Sequence, residues 1–131
     1  FIKNNNLSNN IFLKGWMSSD NIKNYLVDSD IFILPSWKEG MPNALIEALA
    51  TGLPSIATSV GVIPDYLEDD VSALLIEPKN SNNIQNSLEK LINDINLRNK
   101  LSKNGLSVAK KFFTSESSLE NFSKIIQESL N

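Results

Sequence analysis

Neither histidine nor cysteine occurs among these 131 residues. Their absence removes disulfides, a thiolate nucleophile, a serine–histidine pair and the usual zinc ligands. Any chemistry must therefore rest on carboxylates, hydroxyls, lysines, arginines or backbone groups. No apolar run approaches the roughly 18 residues of a membrane span, and the opening Phe1-Ile2-Lys3-Asn4-Asn5-Asn6 lacks a signal-peptide pattern. A cytoplasmic location is the expectation. Positive charge is also scarce, with a formal net charge of -3 and basic residues scattered apart from Lys110-Lys111. Such a chain has no electrostatic footprint for nucleic acid.

What is present is the composition of an ordinary folded domain, since 41% of the residues are hydrophobic and 21% charged, and the length suits one domain. The chain begins without methionine and runs at once into Asn-rich residues, so a fragment or excised domain is expected. Along it, strands alternate with helices. Ile11 to Lys14 reads as a short apolar strand ending at Gly15, and Ser18-Ser19-Asp20 as the cap of a helix through about Val27. Asp30 to Leu34 is a β-branched and aromatic run closed by Pro35, followed by a helix over Pro42 to Thr51. Pro54 to Thr58 is a third strand. Gly61 and Pro64 mark a turn and a short helical piece through Leu67, and Ser72 to Ile76 is a fourth strand. Beyond Pro78 the apolar spacing predicts a helix from about Ser81 to Asp94. A second helix, broken or softened near Asn104-Gly105, and a third carrying Leu119, Phe122, Ile125, Ile126 and Leu130 complete the chain. This alternation implies a parallel, doubly wound α/β sheet with flanking helices.

The most informative stretch is Glu39-Gly40-Met41-Pro42-Asn43-Ala44-Leu45-Ile46-Glu47, which sets two carboxylates around a Gly-X-Pro turn that opens a helix. Pro42 suits the first helical position. The amides of Gly40, Met41 and Asn43 and the positive end of the helix dipole would attract an anion such as a diphosphate. With Glu47 more than a turn into the helix, the helical part covers roughly 7 to 8 Å, so the acids could flank that diphosphate. Asn43, Glu47 and Thr51 share one polar face; Ala44, Leu45, Ala48 and Leu49 take the core face. Spacing alone leaves equal room for a solvated helix residue and an ordinary loop acid. In a parallel sheet ligands bind beyond the carboxyl ends of strands, where the Pro35–Asn43 loop lies. Gly15 and Trp16 also follow a strand end, so the backbone or the indole could border a nucleotide base, although packing in the core is the plainer reading of Trp16. Trp37 is balanced between packing and ligand contact.

Two acidic clusters point less clearly to chemistry. Asp28-Ser29-Asp30 has the Asp-X-Asp form of a metal motif, but it precedes a strand and would cap the previous helix instead. Glu68-Asp69-Asp70 reads as a solvated turn, with metal binding the lesser alternative, and Ser55, Thr58 and Ser59 as strand-end hydroxyls that could lie near a ligand, although hydrogen bonding within the turn is the plainer reading.

The whole segment from Phe32 to Asp65 closely resembles the donor-binding domain of family 4 retaining glycosyltransferases of the GT-B fold. The acid pair with seven intervening residues, the Leu34-Pro35-Ser36 before it and the Ala50-Thr51-Gly52-Leu53-Pro54 after it fall in that family's order. The resemblance runs from about Ile11 to the final helix. It implies that residues 1–131 are a partial C-terminal nucleotide-sugar-binding domain, truncated from a GT-B enzyme, with the N-terminal acceptor domain and the domain's first strands absent. It further implies that Glu39 contacts the transferred sugar, that Glu47 accepts hydrogen bonds from the ribose, and that the amides of Gly40, Met41 and Asn43 contact sugar or phosphate. The parent would move a sugar with retention from a UDP-sugar or GDP-sugar, UDP being the commoner carrier, to a saccharide or lipid-linked acceptor hydroxyl in surface polysaccharide or glycolipid synthesis. No metal or other cofactor is expected. The fragment alone would be inactive, and the absent domain leaves room for peripheral association with the inner face of the plasma membrane.

The family's phosphate-binding Arg and Lys precede the region seen here. Where the family has Gly-Gly-X-Pro-Glu, this chain has Gly61-Val62-Ile63-Pro64-Asp65. Since valine resists positive φ, a loop of different shape is expected there. Asp70 and Ala73 likewise replace frequent glycines. Two other classes share the fold: a nucleotide-sugar epimerase, against which the lack of histidine counts, and a non-catalytic binding or assembly module, against which both acids count.

Overall fold

The computed structural model describes residues 1–114. Its centre is a parallel sheet of three strands, β1 (Phe32–Leu34), β2 (Ser55–Thr58) and β3 (Leu74–Ile76), in the spatial order β1-β2-β3. Around it lie helices α1 (Ser19–Val27), α2 (Asn43–Ala50), α3 (Ile63–Tyr66), α4 (Ser81–Asn93) and α5 (Ile95–Phe112), with a single 3-10 turn at Lys3–Asn5. Phe32, Ile33 and Leu34 stand opposite Ser55, Ile56 and Ala57, and Ile56, Ala57 and Thr58 opposite Leu74, Leu75 and Ile76.

Strand alternation sends successive side chains to opposite faces, and both faces are covered. Phe32, Leu34, Ala57 and Leu75 meet Leu45 and Leu49 of α2 and Ile63 of α3 on one side. Ile33, Ile56, Leu74 and Ile76 meet Ile84, Leu88 and Leu91 of α4 and Leu97 and Leu101 of α5 on the other. Every residue of β2 is buried, as a central strand with helices on both faces requires.

Four departures from the sequence-based reading have physical causes. Ile11 to Lys14 forms no strand: nothing among the described residues pairs with it, β1 bonds only to β2, and Phe12 and Leu13 are exposed. An apolar run cannot make a ladder without a neighbour to supply donors and acceptors. Pro42 is the N-cap of α2, at ψ 124, one residue before the first helical position. Its carbonyl accepts from Leu45 and Ile46, so the ring sits where no amide is needed. Ala44, assigned to the core face of that helix, is exposed, whereas Leu45, Ala48 and Leu49 are buried.

The expected break at Asn104-Gly105 is absent, and α5 runs through it. A Cβ at Gly105 would stand 2.8 Å from Leu49 Cδ2 and 3.1 Å from the Ser72 carbonyl oxygen. The glycine is there for close approach of α5 to α2 and the β3 entry. Asn104 Nδ2 donates to the Val71 carbonyl oxygen at 2.8 Å, tying the same turn of helix to that segment. The third C-terminal helix, expected over Leu119 to Leu130, lies outside the described residues.

The remaining boundaries follow local chemistry. Asn80 caps α4 by accepting from the Asn83 amide at 3.2 Å, and Asp94 caps α5 by accepting from Leu97 at 2.9 Å. Arg98 donates to the Leu91 and Ile92 carbonyls, satisfying the end of α4.

Candidate functional site

Ser36 and Glu39 follow the carboxyl end of β1, as the topology requires of a ligand-binding loop. Glu39 is half-buried, and its Oε1 accepts from Ser36 Oγ at 2.6 Å; Oε2 has no partner among the described residues. The loop is held from below by Thr58, the last residue of β2, whose hydroxyl bonds across to this loop and not within its own turn as expected. Its hydroxyl Oγ1 lies 2.7 Å from the Ser36 carbonyl oxygen and 3.0 Å from that of Leu34, and Thr58 is buried.

A second loop closes on the same turn. Gly61 holds φ +59, and a Cβ there would overlap the carbonyl oxygen of Glu39 and stand 2.9 Å from that of Gly40. Two conditions therefore select glycine at this position, left-handed backbone and the absence of a side chain. Val62, which resists positive φ, holds φ -93 as the N-cap of α3. The single glycine suffices because only Gly61 needs the left-handed conformation.

Among the described residues the amides of Gly40, Met41 and Asn43 donate to no acceptor. Asn43 is the first residue of α2, where a helix leaves its donors unpaired, and Gly40 and Met41 lie in the loop just before the cap. On α2, Asn43, Glu47 and Thr51 are exposed together, as their spacing predicts. Glu47 lines a groove of about 420 Å³ between α1 and α2, with Ser19, Asp20, Lys23 and Leu26 opposite and Ala50 and Thr51 beside it. The α1 wall of this groove has no signature in the sequence, because it depends on how α1 packs across α2. Glu39 does not line it.

Gly15, at φ +67, and Trp16 come just before α1. Trp16 is 91% exposed, which overturns the reading of its indole as a core side chain. Neither residue lines the Glu47 groove. Trp37 is also exposed, with the Lys79 ammonium 5.0 Å from its ring centroid. It borders a separate cavity of about 260 Å³ at the strand ends, with Pro35, Thr58, Ile76 and Lys79.

The remaining polar clusters make contacts of their own away from this loop. Asp28 and Asp30 lie between α1 and β1, at the amino end of the strand, and Ser29 Oγ donates to the Tyr25 carbonyl oxygen at 2.5 Å. Asp69 Oδ1 accepts from the Leu75 amide at 2.8 Å, and Asp70 pairs with Lys90. Ser55 Oγ donates to the Leu53 carbonyl oxygen at 2.9 Å. Among the described residues no three acidic side chains gather in a way that would hold a metal ion, and no helix is long and apolar enough to cross a membrane.

Residues 1–108 match the family profile described as glycosyl transferases group 1. An uncharacterized glycosyltransferase of Methanocaldococcus jannaschii is 35% identical over 112 residues, covering 86% of this chain and 32% of the relative. The UDP-Gal:alpha-D-GlcNAc-diphosphoundecaprenol alpha-1,3-galactosyltransferase of Escherichia coli is 34% identical over 113 residues, covering 81% of this chain and 28% of the relative. The chain thus spans about a third of the length of these curated relatives. Among solved structures, the C-terminal domain of a glycosyl transferase group 1 family protein from Francisella tularensis superposes with a TM-score of 0.79 at 32% identity, covering 87% of this chain and 59% of that one. The parallel sheet with flanking helices is the Rossmann-like C-terminal fold of GT-B glycosyltransferases.

Proposed function

The chain belongs to the glycosyl transferases group 1 family, and from that premise we propose that it is the latter part of the donor-binding domain of a longer, retaining family 4 enzyme. The parent transfers a sugar from a nucleoside diphosphate to an acceptor hydroxyl. The observation that carries this reading is the division of labour along one short segment. Unpaired amides at Gly40, Met41 and Asn43 open α2, a half-buried carboxylate at Glu39 precedes them, and an exposed carboxylate at Glu47 faces a groove one turn further on.

Each part has a chemical task. The amides and the amino end of α2 take the sugar or phosphate oxygens, where negative charge develops as the diphosphate departs. Glu47 accepts from the two ribose hydroxyls, and the α1 wall of its groove flanks the nucleoside. Glu39 presents its free oxygen to the transferred sugar, fixing the ring against the leaving phosphate. Gly15 and Trp16 border the base. Departure of a diphosphate calls for charge stabilisation more than for a proton, so a site without histidine is adequate to the reaction. The basic side chains that complete the phosphate site come from residues preceding this chain, and the acceptor site from another domain.

UDP is the proposed carrier, supported by the donor in the name of the Escherichia coli relative. That name also specifies an acceptor on a diphosphoundecaprenol lipid, which supports a saccharide or lipid-linked acceptor here, with the parent working at the cytoplasmic face of a membrane. No metal ion is assigned a role.

Calorimetric titration of the full-length protein with UDP and GDP tests the reading. UDP binds, GDP binds less tightly, and Glu47→Ala weakens UDP about 10- to 100-fold, as expected for losing charge-assisted hydrogen bonds. Failure of both nucleotides to bind, or equal binding by Glu47→Ala, overturns it. Binding retained together with a full transfer rate in Glu39→Gln would leave the nucleotide site standing with no role for that acid, and binding without transfer in the unaltered protein would leave a non-catalytic nucleotide-sugar-binding module.

A further inference from the structure

We propose that Ser36, Thr58 and Gly61 are positioning residues that fix the Glu39 carboxylate in its working orientation. The inference rests on the reading of Glu39 as the group that faces the transferred sugar. Two contacts reach this residue directly, from Ser36 and Gly61, and a third reaches it through Ser36. Ser36 Oγ donates to Glu39 Oε1 at 2.6 Å, which holds that oxygen and leaves Oε2 as the oxygen open to a ligand. Thr58, buried at the end of β2, holds the backbone of Ser36 through its carbonyl oxygen at 2.7 Å, so the serine is referred to the central strand of the sheet. Gly61, with no side chain, lets the β2–α3 loop lie directly against the Glu39 and Gly40 carbonyls from the other side.

The half-buried Glu39 would otherwise sit on an exposed loop flanked by Trp37, Lys38 and Gly40, all exposed. A carboxylate on such a loop samples several rotamers, and misplacement by about 1 Å costs on the order of 10²-fold in rate. The three contacts remove that freedom by tying the loop to the most buried strand of the sheet. Ser36 and Glu39 are three residues apart and their pairing is local, whereas Thr58 is 22 residues from Ser36. The frame therefore exists only in the folded protein.

The test is transfer kinetics of the full-length enzyme with Ser36→Ala, Glu39→Gln and the double variant, with UDP affinity and melting temperature measured alongside. Ser36→Ala is expected to lower kcat about 10- to 100-fold while the KM for the donor and UDP affinity stay near wild type. The double variant should be no slower than Glu39→Gln alone, because a residue acting only through Glu39 has nothing left to position. Thr58→Val should behave as Ser36→Ala does, and Thr58→Ser should restore the rate by restoring the hydroxyl. Full activity in Ser36→Ala with Glu39→Gln impaired overturns the frame while leaving the role of Glu39 intact. Additive losses in the double variant, or equal impairment by Thr58→Val and Thr58→Ser, also overturn it, since those patterns belong to general destabilisation. Full activity in Glu39→Gln overturns the role of Glu39 itself, and the frame with it.

Discussion

Asp70 holds φ at +58, in the left-handed region that most side chains avoid. Aspartate is among the few residues that tolerate it, because its short polar side chain can hydrogen-bond locally. The side chain also reaches Lys90, but both partners are about half exposed, so the pair contributes at most ~1 kcal/mol. The two effects oppose each other on substitution. Asp70→Gly removes the backbone strain, loses the ion pair and adds chain entropy to the unfolded state, so its urea midpoint should correspond to within about 1 kcal/mol of wild type. Asp70→Val keeps none of these compensations and should lose about 2 kcal/mol. Equal stability of the valine variant would show that the turn relaxes to another conformation. At this scale the residue sequence was readable only in part. Glycine at 61 and aspartate at 70 both invite a left-handed backbone, yet nothing local indicates that Gly61 touches the Glu39 carbonyl. That contact is made by tertiary packing.

Helix α5 shows the same limit one level higher. Read by propensity, Asn104-Gly105 is a weak point, since a glycine costs about 1 kcal/mol against alanine in a helix interior. The structure keeps the helix whole because closeness to Leu49 and Ser72 is worth more than the propensity lost. Gly105→Ala should accordingly fail to stabilise: the propensity gain of about 1 kcal/mol is offset by about 1–3 kcal/mol of overpacking against a fully buried leucine and a backbone carbonyl. Combined with Leu49→Val, which withdraws the Cδ2 contact, the alanine should cost less than it does alone, and chemical denaturation of the double-mutant cycle measures that coupling. A stabilised single variant would mean that α5 moves off α2 freely. The elements best read from sequence were those whose partners are guaranteed by the pattern itself. Phe32 to Leu34 and Leu74 to Ile76 are apolar runs and Ser55 to Thr58 has an apolar centre, each bounded by turn residues, and all three pair. Ile11 to Lys14 has a similar character, but a strand is a relation between two segments, and no described residue pairs with it.

Taken as a whole, the molecule divides into a firmly buried part and a loosely attached one. β2 is buried throughout and bonded on both sides, and α5 contributes buried Leu101, Gly105 and Ala109. Helix α1 has no buried residue, exposes Tyr25 and Val27, and packs on α2 across the groove that contains Glu47. Amide exchange should therefore be slowest in β2, through openings close to global unfolding, and fast in α1, through local detachment. If the groove is where the nucleoside lies, bound UDP must be lost whenever α1 detaches. The opening is then penalised by the binding free energy, about 2.7 kcal/mol at a ligand concentration of 100 Kd. Hydrogen exchange of the full-length protein should accordingly show α1 amides slowed about 100-fold at that concentration, with smaller changes in α4, which does not line the groove. The acid pair and the Gly-X-Pro turn were legible in the sequence as a possible anion site, whereas the wall opposite Glu47 was not, because Asp20 and Lys23 gain their place only from the packing of α1. Protection of α1 by UDP would join those residues to the site, and exchange unchanged by saturating UDP would place the nucleoside away from this groove.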